Sequence, residues 1–184
     1  MPNQMQETVY RQLRSSDLGE YRRIRLECLK QYPNNFGATF EEELNSAHLK
    51  LHDAIEKTDS NNFALGAFAG DGHLIGICGF VTEKRVKTKH RGEIVQMFVD
   101  PLHAGKGIGK ELLTRAIDRA FENGQTEQIT LGVAGANDDA IKLYTRVGFV
   151  EYGRLDNYFK SGSEYFTQAF LVLTRRRYQQ LILK

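Results

Sequence analysis

The chain has 184 residues, of which 41% are hydrophobic and 26% charged, the balance of a folded protein rather than a disordered one. A domain of this length buries about 70% of the surface of its unfolded chain, so it needs no disulfide or structural metal to hold it. Its 25 basic and 23 acidic residues leave a net charge of +2, which gives no ground for expecting nucleic-acid or membrane binding.

The two cysteines, Cys28 and Cys78, lie fifty positions apart and form no CxxC pair. That usage favours a reducing, cytoplasmic setting. The start, MPNQMQETVY, lacks the apolar centre of a signal peptide, and no run reaches the ~18 apolar residues that span a bilayer. A single domain over residues 1–184 is expected, with a core at 8–173 and a tail at 174–184.

Val9–Arg14 alternates apolar and polar residues, as a half-buried strand does. Asp17 offers a helix cap, and Tyr21, Ile24, Arg25, Cys28 and Leu29 follow at helical spacing. Turn residues 33–37 end that helix. Thr39 and Glu42 then make a capping-box pattern for a second helix carrying Leu44, Leu49, Leu51 and Ile55. From residue 62 the period changes to that of strands, at Asn62–Ala69, His73–Thr82 and Gly92–Val99. The connection 83–91 is basic and reads as a solvated hairpin tip, an anionic ligand being the alternative.

After Pro101 comes a glycine-rich turn, then a helix with Leu112, Leu113, Ala116, Ile117, Ala120 and Phe121 on one face. Asn123-Gly124 stops it. Gln128–Val133 reads as a strand, Asp138–Val147 as a short helix, and Phe149–Leu155 and Tyr165–Leu173 as a final strand pair. Hairpin strands followed by crossovers predict an α+β fold: a mixed, mostly antiparallel central sheet of about seven strands flanked by about four helices.

The strongest local signal is Asp100-Pro101-Leu102-His103-Ala104-Gly105-Lys106-Gly107-Ile108-Gly109-Lys110, directly after a strand and opening a helix. Alternate glycines let the backbone approach a ligand closely, and a helix N-terminus offers free N–H groups to a phosphate. A Walker A loop fails because Ala104 occupies its first glycine position and Glu111 follows Lys110. A GxGxxG dinucleotide fingerprint fails because residue 110 is lysine. The five histidines form no metal-ligand spacing, and neither HExxH nor GxSxG occurs.

This loop, with Asn137-x-x-Ala140-x-x-Leu143-Tyr144-x-x-x-Gly148-Phe149 further on, resembles the two signatures of the GNAT N-acetyltransferases. The resemblance spans residues 8–173. It departs from the family at Ala104, where arginine or glutamine is usual, so a side-chain phosphate contact is missing there. The resemblance implies acetyl-CoA as cosubstrate, no metal, and direct transfer of the acetyl group to a primary amine of a small molecule or peptide. It implies that the strands at 93–99 and 128–133 splay apart, with the pantetheine arm against main-chain groups near Met97, Phe98 and Val99. The backbone of Ala104, Gly105, Lys106, Gly107, Ile108 and Gly109 would hold the pyrophosphate, with Lys106, Lys110 and Lys142 near it.

Asn137 and Ala140 would touch the cofactor, although Asn137 also reads as a plain helix cap. Tyr144 would protonate the departing thiolate, its alternative being a buried anchor for its helix. Glu93 would take the amine proton, its alternative being a polar residue at a strand start. By strand alternation, Glu93, Val95, Met97 and Val99 are expected on one face. Phe36 and Phe40 fall in the family's acceptor segment, beside acids 41–43 that also favour a helix N-terminus. The Thr174–Lys184 tail offers a surface for a second copy, as in a homodimer. A non-catalytic CoA-binding or regulatory module of the same fold is the alternative to an enzyme.

Overall fold

The computed structural model describes residues 8–183; the expected domain also includes residues 1–7 and Lys184, which lie outside them. The first half runs β1 (Val9–Gln12), α1 (Leu18–Gln31), α2 (Phe40–Asn45), α3 (His52–Glu56), β2 (Phe63–Phe68), β3 (Leu74–Thr82) and β4 (Arg91–Val99). The second runs α4 (Ile108–Glu122), β5 (Gln128–Ala134), α5 (Asp138–Val147), β6 (Val150–Ser161), β7 (Glu164–Thr174) and α6 (Arg175–Ile182).

All seven strands form one sheet in the order β1-β2-β3-β4-β5-β7-β6. The β4–β5 pair is parallel and the other five pairs are antiparallel. One face is covered by α4 and α5, whose Leu112, Leu113, Ala116, Ile117, Ala120, Tyr144 and Val147 pack on Ile129, Leu131 and Leu171. The other face carries α1 and α3, which bury Tyr21, Ile24, Cys28 and Ile55 against Ala64, Ile77, Val95 and Phe98. Each large apolar side chain removed from water contributes roughly 1.5–3 kcal/mol, so these two layers supply most of the drive to fold.

The described residues hold six α-helices, two more than the four expected. The helix expected over 39–55 is split in two. Its capping box forms, with Glu42 N–H donating to Thr39 Oγ1 at 3.2 Å and Thr39 N–H to Glu42 Oε2 at 2.8 Å. The Arg22 guanidinium then donates to the carbonyls of Glu43, Leu44 and Ser46, giving the end of α2 the partners that a further turn would have supplied. Leu49 and Leu51 are still buried.

The extra element at the other end is α6, in the segment expected as a tail. Thr174 Oγ1 accepts the Arg177 N–H, and the buried Tyr178 donates its hydroxyl to Asp118 at 2.8 Å. Ile182 and Leu183 remain exposed. Asp17 does not cap α1. Its carboxylate accepts the Arg14 N–H and both terminal nitrogens of Arg11, closing a 3-10 turn ahead of the helix. Among the described residues, no helix is long and apolar enough to cross a membrane.

Candidate active site

The parallel pair β4–β5 is joined only at Arg91–Gln128, Gly92–Ile129 and Glu93–Thr130. Beyond that, β4 continues against β3 as far as Val99, while β5 continues against β7 as far as Ala134. The sheet therefore forks in its middle, leaving the β5-facing edge of residues 94–99 without a strand partner. Backbone amides rarely remain unpaired inside a fold, so this edge is suited to an extended ligand with amides of its own.

A bulge lies along that edge. Ile77 pairs with Phe98 but Gly79 with Val95, so Cys78 opposes two residues, Gln96 and Met97. Gln96 takes a left-handed φ of +53°, and its side-chain oxygen accepts a 2.7 Å hydrogen bond from Tyr21. The extra residue reverses the alternation. Met97 and Val99 pack on the α4 side, whereas Val95 lies with Phe98 on the α1 side. The expectation that Glu93, Val95, Met97 and Val99 share one face is therefore corrected: Glu93 and Val95 lie opposite Met97 and Val99.

The glycine loop lies beyond the end of β4. Gly105 and Gly107 have φ of +76° and +78°, and an added Cβ would meet nothing within 4 Å at either. Glycine is thus required there for backbone conformation and not for packing. The N–H groups of residues 105–110 make no hydrogen bond within the described protein. This run of donors opens α4, a 15-residue helix, so free N–H groups and the positive end of the helix dipole coincide there, an arrangement suited to an anion. Ala104 was expected among the free donors, but its N–H is occupied by the Pro101 carbonyl at 3.1 Å. Ile108 is buried, Gly109 half-buried, and Lys106 and Lys110 exposed. Donor type and loop shape fit a pyrophosphate.

Helix α5 faces the fork from the same side as α4. Asn137 does cap it, its side-chain oxygen accepting the Ala140 N–H at 3.2 Å. Lys142 is exposed. Tyr144 is 6% exposed and packs edge-on to Phe149 with the ring centroids 5.9 Å apart. Its hydroxyl has no hydrogen-bond partner among the described residues, and burial raises the phenol above its ordinary value.

On the opposite face, where the fork begins, Glu93 opens into a cleft of about 240 Å³ that Glu83, Tyr152, Tyr158 and Phe170 also line. Lys50 Nζ approaches Glu93 Oε2 to 4.0 Å. Phe36 and Phe40 do not line this cleft. Phe36 lies under the Arg25 guanidinium, 4.8 Å from ring centroid to Cζ, and Arg25 makes a two-pronged ion pair with Glu43 at 2.9 and 3.0 Å. Of the acids at 41–43, then, Glu43 serves a buried cation of its own chain. The loop holding Phe36 still meets the last strand pair, because Gly37 lies against the Phe159 ring.

Sequence reasoning missed the Tyr21–Gln96 bond, since nothing local marks a bulge. It also missed Tyr152, Tyr158 and Phe170, for which the run of aromatics on the last strand pair was an available signal. The histidines gave no metal spacing, yet folding brings His48, His52 and Asp53 within 4.8 Å of one another; His48 and Asp53 are exposed and the two imidazoles are stacked.

A model of the acetyltransferase (GNAT) family matches residues 21–149. An N-alpha-acetyltransferase, MAK3, of Arabidopsis thaliana is 40% identical over 76 residues, 41% of this chain and 40% of that protein. A spermidine N(1)-acetyltransferase of Vibrio cholerae is 32% identical over 122 residues, 66% of this chain and 64% of that protein. The matches thus span less than two thirds of these relatives' own lengths. The fold is similar to that of a GNAT-family acetyltransferase from Streptococcus pneumoniae, with a TM-score of 0.80 at 20% identity over 91% of this chain and 99% of that one. The matched stretch carries the fork, the glycine loop and α5 together, and the chain belongs to the GNAT acetyltransferase family.

Proposed function

We propose that the protein is an acetyl-CoA-dependent N-acetyltransferase acting on a primary amine. The observation that carries this reading is the run of free N–H groups at 105–110 leading into a forked sheet whose inner edge is unpaired. The loop binds the pyrophosphate, with Lys106, Lys110 and Lys142 adding charge, and Asn137 and Ala140 bordering the same channel. The open edge at Met97, Phe98 and Val99 holds the pantetheine arm and polarises the thioester carbonyl. When bound, acetyl-CoA supplies an activated acyl group.

Glu93 accepts the proton of the attacking amine, a C–N bond forms as the C–S bond breaks, and Tyr144 gives its proton to the departing sulfur. Tyr144 can take that role because a phenol is protonated at neutral pH and so can give a proton. The named relatives act on spermidine and, as N-alpha-acetyltransferases, on α-amines, which supports a small-molecule or peptide acceptor for this chain. The buried free thiols Cys28 and Cys78 support a reducing, cytoplasmic setting.

Titration calorimetry with acetyl-CoA, run beside adenosine diphosphate and NAD, tests the reading. Micromolar binding of acetyl-CoA alone, followed by amine-dependent thiol release, is the expected result. Binding without release for any amine would favour a non-catalytic CoA-binding module, and no binding would overturn the cofactor assignment.

A further inference from the structure

The cleft beside Glu93 has a composition that direct acetyl transfer does not by itself require. It carries two carboxylates, Glu83 and Glu93, and an aromatic wall in which Phe170 stands 5.3 Å from Tyr158 and 6.2 Å from Tyr152, centroid to centroid. Both tyrosines are about half exposed, presenting ring surface to the cleft rather than to the core. Glu83 makes no ion pair among the described residues, and Glu93 has only the Lys50 ammonium near it, at 4.0 Å. Lys50 does not itself line the cleft, so neither carboxylate has a cation partner from the cleft wall.

The chemistry of this lining excludes most occupants. An anion would meet two like charges, and a neutral apolar group would strip water from carboxylates without replacing it. A simple monoamine would satisfy Glu93 alone and leave Glu83 and the rings unused. Aromatic faces attract cations through the ring quadrupole, so rings and carboxylates together favour positive charge. The volume of about 240 Å³ suits a small, slender molecule.

We infer that the cleft selects a small acceptor amine bearing a second positive charge. That charge is held by Glu83 and the Tyr152, Tyr158 and Phe170 rings, while the reacting nitrogen lies at Glu93. The inference rests on the proposed acetyl transfer and names its acceptor class. Glu83, Tyr152, Tyr158 and Phe170 are specificity-determining residues and take no part in the bond changes. A diamine displaces the Lys50 ammonium from Glu93 as it enters.

The test is calorimetry on the CoA-saturated protein with 1,4-diaminobutane against butylamine, two amines of equal chain length differing in one charge. The diamine should bind about tenfold tighter, the scale of one partly exposed cation contact. Glu83→Gln and Tyr158→Leu should each remove most of that preference while leaving acetyl-CoA affinity unchanged, which also shows that the variants fold. Equal affinity for the two amines, or a preference that survives both substitutions, overturns the inference even if thiol release proceeds. A Glu83-dependent diamine preference without thiol release would support the cleft's selectivity and refute the acetyl transfer, so the two claims fail separately.

Discussion

The Tyr21 hydroxyl donates to Gln96 Oε1 at 2.7 Å and accepts the Leu51 N–H at 3.2 Å. One phenol thus ties α1, the loop before α3 and the bulge of β4 into a single buried contact. Gln96 is the residue whose left-handed φ sends Met97 to one face of the sheet and Phe98 to the other. The shape of the forked edge depends on it.

Tyr21→Phe should leave a buried amide N–H and a buried side-chain carbonyl unsatisfied, at a cost of about 1–3 kcal/mol in urea unfolding. Because the bulge that shapes the open edge at 97–99 loses its tether, turnover should fall several-fold. An unchanged unfolding midpoint would show that the bulge holds itself.

Tyr144→Phe separates chemistry from folding. The hydroxyl has no protein partner, so its removal should move the unfolding midpoint little, while kcat falls roughly 10²-fold if it acts as the general acid. Full turnover would remove Tyr144 from the mechanism.

Gly107→Ala tests the loop. At φ +78° an alanine costs about 1–2 kcal/mol, and its Cβ meets nothing, so the fold should survive with the backbone donors displaced. Acetyl-CoA binding measured by calorimetry should weaken by about tenfold or more. Gly124→Ala is the control, with φ +73° and equally open space at the far end of α4. It should lose similar stability and keep its affinity.

Alkaline pH should destabilise the protein. Burial raises Cys28, Cys78 and Tyr21 to about 12 each, so the folded state holds these protons more tightly than the unfolded chain does. Unfolded thiols ionise near 8.5 and phenols near 10. Stability from this source is therefore complete below about pH 8.5 and lost as pH rises from there toward 12. Urea midpoints between pH 8 and 11 should fall, and less steeply in Cys28→Ala and Cys78→Ala. Equal slopes would mean that the thiols ionise alike in both states.

Strand and helix placement was largely legible because period is a local property. Leu112, Leu113, Ala116, Ile117 and Ala120 announce the buried stripe of α4, and all five are fully buried. The capping box of α2 and the α5 span Asp138–Val147 are likewise written in neighbouring residues. The glycine loop was legible because a left-handed backbone leaves a residue-type signature. By itself, then, the sequence determined the fold class, most strand and helix placements, the position of the glycine turn and the family.

Only tertiary structure decided how those elements meet. The end of α2 is set by Arg22, a side chain some twenty residues earlier, and the bulge at Gln96 by Tyr21, 75 positions away. The fork arises because β5 finds a second partner in β7 while β4 keeps β3. The cleft gathers Glu83 and Glu93 from one hairpin and Tyr152, Tyr158 and Phe170 from another. Such contacts join distant residues whose pairing depends on register and packing, and neither leaves a periodic trace along the chain.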